Sequence, residues 1–521
     1  MSDQQSPVTL LSAGSGLIFL FALAVSVPVG LFIQLVLLPI MLPGLHAGHG
    51  LLLGGDWNGF HADAVTLSEK IARQGWSHFE LRPRGQAPIG IAAVIYTITG
   101  IREPWILVPL HGIVFALCVT GLFNIYRRIA GVRLAAIAAA LLVAFPSSVL
   151  LYAQIHKDVW SIAGSLWLLY VLLTYVSLPR ISLRMNLALL AITTLAVMSV
   201  WLVRSYVLQL LLVGLLTATL FLLVWTLAAT RFRQVRQEAS RWIGIVLCSC
   251  LVFGGAFDWP SRLAGFFSPS LATFMAPPHV VGYDSAVYAP IMIPPAFANT
   301  LKPEQRELLT QNRYEELLKS LNSDQLTVWN KQQEFARYVV EGLTPDQLIA
   351  AWIPQSVQLR LETAINLRRG QVISALSAGS AIDYDAPMRN AADMLRYAPR
   401  ALQIALFAPF PDMWFQPGVS PGAGAMRAVA GVETMISYVL FVGFLPLLLL
   451  ANIEQRKRII FACVFVLPIL CILAITIPNI GTLYRMRYSY FYLLIGFGII
   501  GWGFFVRYLA RLRESRSPEI S

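Results

Sequence analysis

Long apolar runs separated by short clusters of Arg and Lys constrain this chain more than any other feature. A spanning helix needs roughly 20 apolar residues. Such runs occur at Leu17 to Leu42, Trp105 to Tyr126, Leu134 to Leu151, Val159 to Val176, Leu187 to Val203, Val207 to Ala229, Trp242 to Phe257, Met435 to Ala451, Ile459 to Ile477 and Tyr488 to Val506. They predict an all-α polytopic membrane protein with about ten transmembrane helices. Composition agrees: 57% hydrophobic residues, 13% charged residues and a mean hydropathy of +0.66 leave no soluble core able to absorb this apolar surface. The first run lacks a basic flank and exceeds the roughly 7 to 15 residues of a signal-peptide core, so it is expected to stay as a helix. All five cysteines fall inside apolar runs, where Cys acts as a small hydrophobe.

The formal charge of +12 suggests nucleic acid at first sight. The cations instead sit between the spans, at Arg127, Arg128 and Arg133; Arg180 and Arg184; Arg231, Arg233, Arg236 and Arg241; Arg456, Lys457 and Arg458; and Arg507, Arg511, Arg513 and Arg516. By the positive-inside rule these clusters and both termini are cytoplasmic, and nucleic acid drops out as a partner. The expected organisation is an N-terminal membrane module (1–257) with an external loop (43–103), a mostly helical extracytoplasmic insertion (258–432), and C-terminal transmembrane helices with a cytoplasmic tail (433–521). Within the loop, Ala62 to Gln74 reads as an amphipathic helix, and Ile89 to Thr99 is too short to span and should be interfacial. In the insertion, Asp258 to Val280 is aromatic and Pro-rich, while Pro303 to Glu341, Leu343 to Arg369 and Arg396 to Phe410 carry helical patterns. No internal repeat is apparent.

The unusual polar residues collect on the expected external side. Asp56, in Gly55-Asp56-Trp57-Asn58-Gly59-Phe60-His61, is placed on a turn where a carboxylate can act as a general base; a solvated acid or helix cap is the plain alternative. Asp63 would share its face if one helix includes both, or would simply favour a helix N-terminus. Asp158, in His156-Lys157-Asp158 at a membrane boundary, should face a cavity or the bundle interior, the alternative being a helix start with a snorkelling lysine. Arg204, in Arg204-Ser205-Tyr206, and Arg485 and Arg487, in Tyr484-Arg485-Met486-Arg487, are cations on the side where few are expected. In an extended segment Arg485 and Arg487 would point to one side. Such guanidinium groups suit a phosphate clamp, or ion pairs with Asp56 and Asp158. His61, His111 and His279 read as structural histidines. The spacing leaves room for a divalent cation (Mg or Mn) at Asp56 and Asp158 without demanding one.

These residues resemble the GT-C fold family of bacterial polyprenyl-phosphate-sugar-dependent membrane glycosyltransferases. The pattern G-D-x-x-x-aromatic-H-x-x-A, here Gly55, Asp56, Phe60, His61 and Ala64, resembles the family's first external loop. Lys157-Asp158 resembles its acid at the start of the fourth helix. Arg204-Ser205-Tyr206 is similar to its R-x-Y turn, and Asn479 through Arg487 to its arginine-bearing turn before a late helix. The resemblance implies a GT-C-like bundle in the bacterial inner membrane. It implies transfer from a polyprenyl-phosphate-sugar donor to a glycan, lipid or protein hydroxyl. Asp56 would be the base, Asp158 and Asp63 would support it, and His61, His156, Lys157, Arg204, Tyr206, Arg485 and Arg487 would bind substrate. A polysaccharide polymerase or ligase using a lipid diphosphate donor, and a lipid-linked glycan transporter or flippase, are the competing readings. The transporter would need ionisable residues at mid-membrane, and the predicted spans are nearly free of them.

Overall fold

The computed structural model describes residues 13–178, 181–229, 239–257 and 423–514, and, between these last two, residues 260, 297, 300–310, 314–330, 363–368, 370–372, 380–389 and 391–416. The Asp258 to Val280 segment apart from Pro260, the end of Pro303 to Glu341, most of Leu343 to Arg369, His279, Arg180, Arg231, Arg233, Arg236 and Arg516 lie outside the described residues. The rest is almost entirely helical, with no strand among the described residues. Among the described residues seven helices are long and apolar enough to cross a membrane, or eight if one bent pair counts as a single span. The chain forms two compact units: 1–279 with 425–469 and 488–521, and 280–424 with 470–487.

In the first unit, α1 (Ala13–Phe32) continues into a wider π-helical stretch, Ile33–Met41. It packs antiparallel to α4 (Val108–Ala130), with Ser15 Oγ donating to Asn124 Oδ1 at 2.8 Å. The loop between them folds into α2 (Asp56–Gln74) and α3 (Ala87–Thr99). Trp57, Phe60, Ala64, Leu67 and Ile71 recur at helical spacing and are buried against Ile89, Ala92, Ala93 and Tyr96, so the two helices share a small core. The amphipathic helix predicted from Ala62 therefore starts earlier, at Asp56, because Trp57 and Phe60 extend its apolar stripe by a turn.

The run predicted from Leu134 to Leu151 is broken. Helix α5 (Val132–Ala144) and the stretch Pro146–Ala153, which contains α6 (Val149–Ala153), meet at an angle of 71°. Proline at 146 denies the backbone a donor and keeps Phe145 out of helical geometry. Its φ of −72° and ψ of 124° are extended.

Helix α7 (Asp158–Ser177) precedes α8 (Leu183–Ala229), which is too long for one crossing if straight, at about 1.5 Å per residue. It is interrupted at Arg204, with φ −151° and ψ 67°. A Cβ on Gly255 of α9 (Ala239–Ala256) would lie 2.6 Å from Val197 Cγ1 and 2.9 Å from Leu208 Cδ1. In a straight helix Val197 and Leu208 would be about 16 Å apart along the axis. The chain therefore doubles back at Arg204, where the sequence predicted a turn between two apolar runs.

The helix Ala423–Val442 begins well before the predicted span start at Met435 and carries Glu433 inside an apolar stretch. Glu433 is buried, and its carboxylate accepts the Ser147 backbone N–H at 2.6 Å and the Ser147 hydroxyl. A side chain from another helix thus satisfies the backbone freed by the Phe145–Pro146 break.

In the second unit, Pro303–Thr310, Tyr314–Ser320 and 323–330 are helical and close over Phe297, Leu301, Leu317 and Trp329. The turn at 380–383 pairs with 478–480: Ile382 N–H donates to Pro478 O and Ile480 N–H to Ser380 O, both at 3.0 Å. The predicted Arg396 to Phe410 helix is found as Ala391–Phe407.

Candidate functional site

Asp56 is the first residue of α2, after Gly55 in extended geometry, and it is solvent-exposed. Asp63 lies on the same helix and face, half-buried, with its carboxylate 3.3 Å from Arg84 in an exposed ion pair.

Directly behind α2 sits the turn His156-Lys157-Asp158. The Trp57 and His156 ring centroids are 6.0 Å apart. Lys157 Nζ lies 5.4 Å from the Phe60 ring centroid and donates to Gln86 Oε1 at 3.0 Å. Asp158 opens α7 and is buried at 4% side-chain exposure, in an ion pair with Arg204 at 8%. His156 Nδ1 lies 3.2 Å from Asp158 Oδ2. The Arg204 guanidinium also donates to the Tyr206 hydroxyl. The break in α8 aims Arg204 at the start of α7; an unbroken helix would carry the side chain past it. His156, Lys157, Asp158, Arg204 and Tyr206, chosen from sequence, are thus brought together, and Trp57 and Phe60 of α2 lie against His156 and Lys157.

Arg82 and Gln86 join this cluster without having been picked out from sequence. Arg82 is buried, its guanidinium 4.8 Å from the Trp201 ring centroid. Gly90 makes this placement workable: a Cβ there would fall 2.2 Å from Leu81 O, so only glycine lets α3 lie against the 80–82 backbone. An arginine in a loop of alternating charges, Arg82-Pro83-Arg84, gives no periodic signal of burial.

His61 belongs to a neighbouring chain of polar groups. Its Nδ1 is 3.0 Å from the Tyr96 hydroxyl and its ring centroid 4.8 Å from that of His49. His49 Nδ1 is in turn 3.1 Å from a Glu103 oxygen. Burial, with a smaller contribution from His49, pushes the His61 imidazole below its ordinary value, and Glu103 opposes this. His61 is held neutral as a hydrogen-bonding group. Burial likewise raises the Tyr96 hydroxyl.

Arg485 and Arg487 belong to the second unit, and the extended geometry expected for them is not found. Ile480–Met486 is a helix started by Asn479, whose side chain accepts the Thr482 N–H, and Arg487 is its C-cap. Residues two apart on a helix diverge by about 200°, so the two arginines do not share a side. Arg487 is buried and donates to the carbonyls of Ile404, Ala405 and Ala408, the end of the Ala391–Phe407 helix. Its cation serves a helix C-terminus. Arg485 is half-buried.

Among the described residues no group of three or more His, Cys, Asp or Glu side chains is placed to hold a metal ion, and Asp158 faces the Arg204 guanidinium. No protein-family model matches the chain, and no curated protein matches it. The functional reading rests on the residues and their geometry.

Proposed function

We propose that this chain is a GT-C-like membrane glycosyltransferase of about ten spans. It would transfer a sugar from a polyprenyl-phosphate donor to a hydroxyl acceptor at the membrane face formed by α2 and α3, the extracytoplasmic face of a bacterial inner membrane. The observation that carries the reading is an exposed carboxylate, Asp56, at the start of the helix whose Trp57 and Phe60 rings lie against His156 and the Lys157 cation. An acceptor hydroxyl needs a base within hydrogen-bond reach, and a departing phosphate needs cations at headgroup depth.

In the transfer step Asp56 takes the acceptor proton as the acceptor oxygen bonds to the anomeric carbon. The bond from that carbon to the phosphate oxygen breaks, and its electron pair leaves on polyprenyl phosphate. Lys157, a compact cation next to an aromatic face, would hold that phosphate in the first unit. The Asp158–Arg204 pair would fix the start of α7 and so position His156 and Lys157. Asp63, His61 and Tyr206 support this reading from the first unit. The activated donor supplies the free energy, so no nucleotide is required.

The lipid-linked glycan transporter keeps one specific observation in its favour: Glu433 is an acid buried inside a span, bound to the break of a bent helix. One assay separates the two. Purified protein is given a panel of polyprenyl-phosphate hexoses and pentoses with short glycan acceptors, and release of polyprenyl phosphate is followed. Stoichiometric release with glycosylated acceptor supports the transferase. Donor movement across vesicles with no release supports the transporter.

A further inference from the structure

The end of the first unit remote from Asp56 carries a second charged cluster with a different character. Arg127 and Arg128 end α4, while Arg456, Lys457 and Arg458 lie in the first turns of the helix Ile453–Thr476. The two groups meet directly: Arg458 Nη1 donates to Arg128 O at 2.5 Å, and Gln455 Nε2 to Ile129 O at 2.7 Å. Those contacts satisfy the last carbonyls of α4 and explain why Arg458 is there. They leave the accumulation of charge unexplained. Five cations converge with one acid, Glu454, which pairs with Lys457 at 3.0 Å. Among the described residues, Arg127, Arg128, Arg456 and Arg458 have no carboxylate within ion-pair distance. All four are half-buried rather than extended into water.

Buried groups hold Arg128 in place from behind. Arg128 Nη2 lies 3.4 Å from the Tyr170 hydroxyl and 3.3 Å from Thr174 Oγ1, with its guanidinium 5.6 Å from the Tyr170 ring centroid. The guanidinium is thus held flat, with two hydroxyl groups beside it. From Val108 to Arg128, α4 rises about 30 Å, the thickness of the hydrocarbon core. The cluster therefore sits at headgroup depth when Val108 is at the opposite interface. Leu134 meets Gly503, which brings Arg133 near the later turns of the last helix.

We infer that Arg127, Arg128 and Arg458 form a binding site for the headgroup of an anionic phospholipid, with the buried Tyr170 and Thr174 holding Arg128 in place. A zwitterionic lipid places a choline or ethanolamine cation next to its phosphate and would be repelled by the surplus charge. An anionic lipid satisfies half-buried guanidinium groups that would otherwise be costly at this depth. This inference is independent of sugar transfer, since its readout is lipid binding alone.

The test uses the full-length protein in neutral detergent, titrated with phosphatidylglycerol or phosphatidylcholine, with lipid retention read by native mass spectrometry and the thermal midpoint in parallel. Phosphatidylglycerol should be retained, should raise the midpoint above the phosphatidylcholine value, and should lose part of its effect at high salt. Each arginine removed should weaken retention about fivefold, the factor corresponding to the ~1 kcal/mol expected per basic residue at a membrane surface. Arg127→Gln is the first variant because no hydrogen bond within the fold depends on it in the described residues. Arg128→Gln follows, and Arg128→Lys checks that folding persists with charge retained. Equal retention of the two lipids, or phosphatidylglycerol retention unchanged in folded Arg127→Gln and Arg128→Gln protein, would overturn the site. Equal stabilisation by millimolar inorganic phosphate would overturn its assignment to a lipid.

Discussion

Asp158 and Asp383 each face an arginine, one in each compact unit, and the two pairs do different work. Asp158 and Arg204 are 4% and 8% exposed and join the start of α7 to the turn inside α8. Asp383 and Arg400 are 22% and 40% exposed, with Arg400 Nε at 2.8 Å and Nη2 at 3.2 Å from the carboxylate in a two-point contact. Burial opposes ionisation of Asp383, but the hydrogen bonds and charge of Arg400 outweigh it, with Tyr397 and Arg368 adding to the effect, so its carboxyl sits below the usual range. Behind it, the buried Arg368 donates to the carbonyls of Asp383 at 2.8 Å and Ile475 at 2.7 Å. In the second unit the ion pair therefore trims a turn already fixed by backbone bonds. In the first it is the turn's main polar tie, in surroundings where an unpaired charge finds no water.

The largest expected effect comes from breaking the buried pair on one side. Arg204→Leu leaves Asp158 uncompensated and should cost about 3–5 kcal/mol, read as a fall in the thermal midpoint of the purified protein. The double change Arg204→Leu with Asp158→Leu should recover much of that loss, because replacing both partners with apolar groups removes the stranded charge. A single variant as stable as wild type would place Asp158 in contact with water and cancel the contrast with Asp383.

Next in size is Glu433. Glu433→Ala strands the Ser147 N–H and hydroxyl and should cost roughly 1–3 kcal/mol, whereas Glu433→Gln keeps an acceptor and should cost less. Equal losses would mean that charge, not acceptor geometry, holds the α5 break.

The exposed pair should matter least. Arg400→Ala should cost on the order of 1 kcal/mol near neutral pH, with part of that removed by salt. Because the Asp383 carboxyl is depressed in the folded state, its contribution is present above the ordinary aspartate value of 3.8 and is lost as pH falls through the lower folded value. Stability measured from pH 5 downward should fall more steeply in wild type than in Arg400→Ala. Identical slopes would remove the pair from the account.

The sequence was most legible where one physical signal dominated. Apolar runs predicted the helices, and Arg204, an isolated cation between two such runs, marked the point where α8 doubles back. Asp158 at a membrane boundary pointed to a buried acid. The misses lie where two signals compete. Pro146 was averaged away by its apolar neighbours, which hid the α5 break. Glu433 interrupts the apolar run as read along the sequence, so the run starts after it, at Met435, and leaves the acid outside. Ile480–Met486 is too short for periodicity to show, and its helix is set by the Asn479 cap and by Arg487, which closes a partner helix distant in sequence. Arg82 could not be found at all from sequence, since its burial depends on Trp201 and on close packing at Gly90.

The central claim is that Asp56 is the base for sugar transfer, and comparison of Asp56→Asn with Asp63→Asn tests it most directly. Both acids lie on one helix, Asp56 exposed as its first residue and Asp63 half-buried beside Arg84. Asparagine keeps the size and hydrogen bonding of aspartate and removes its basicity. With folding verified by thermal midpoint, release of polyprenyl phosphate should fall on the order of 10² to 10⁴ in Asp56→Asn and stay near wild type in Asp63→Asn. Near-normal turnover by folded Asp56→Asn protein would contradict the account.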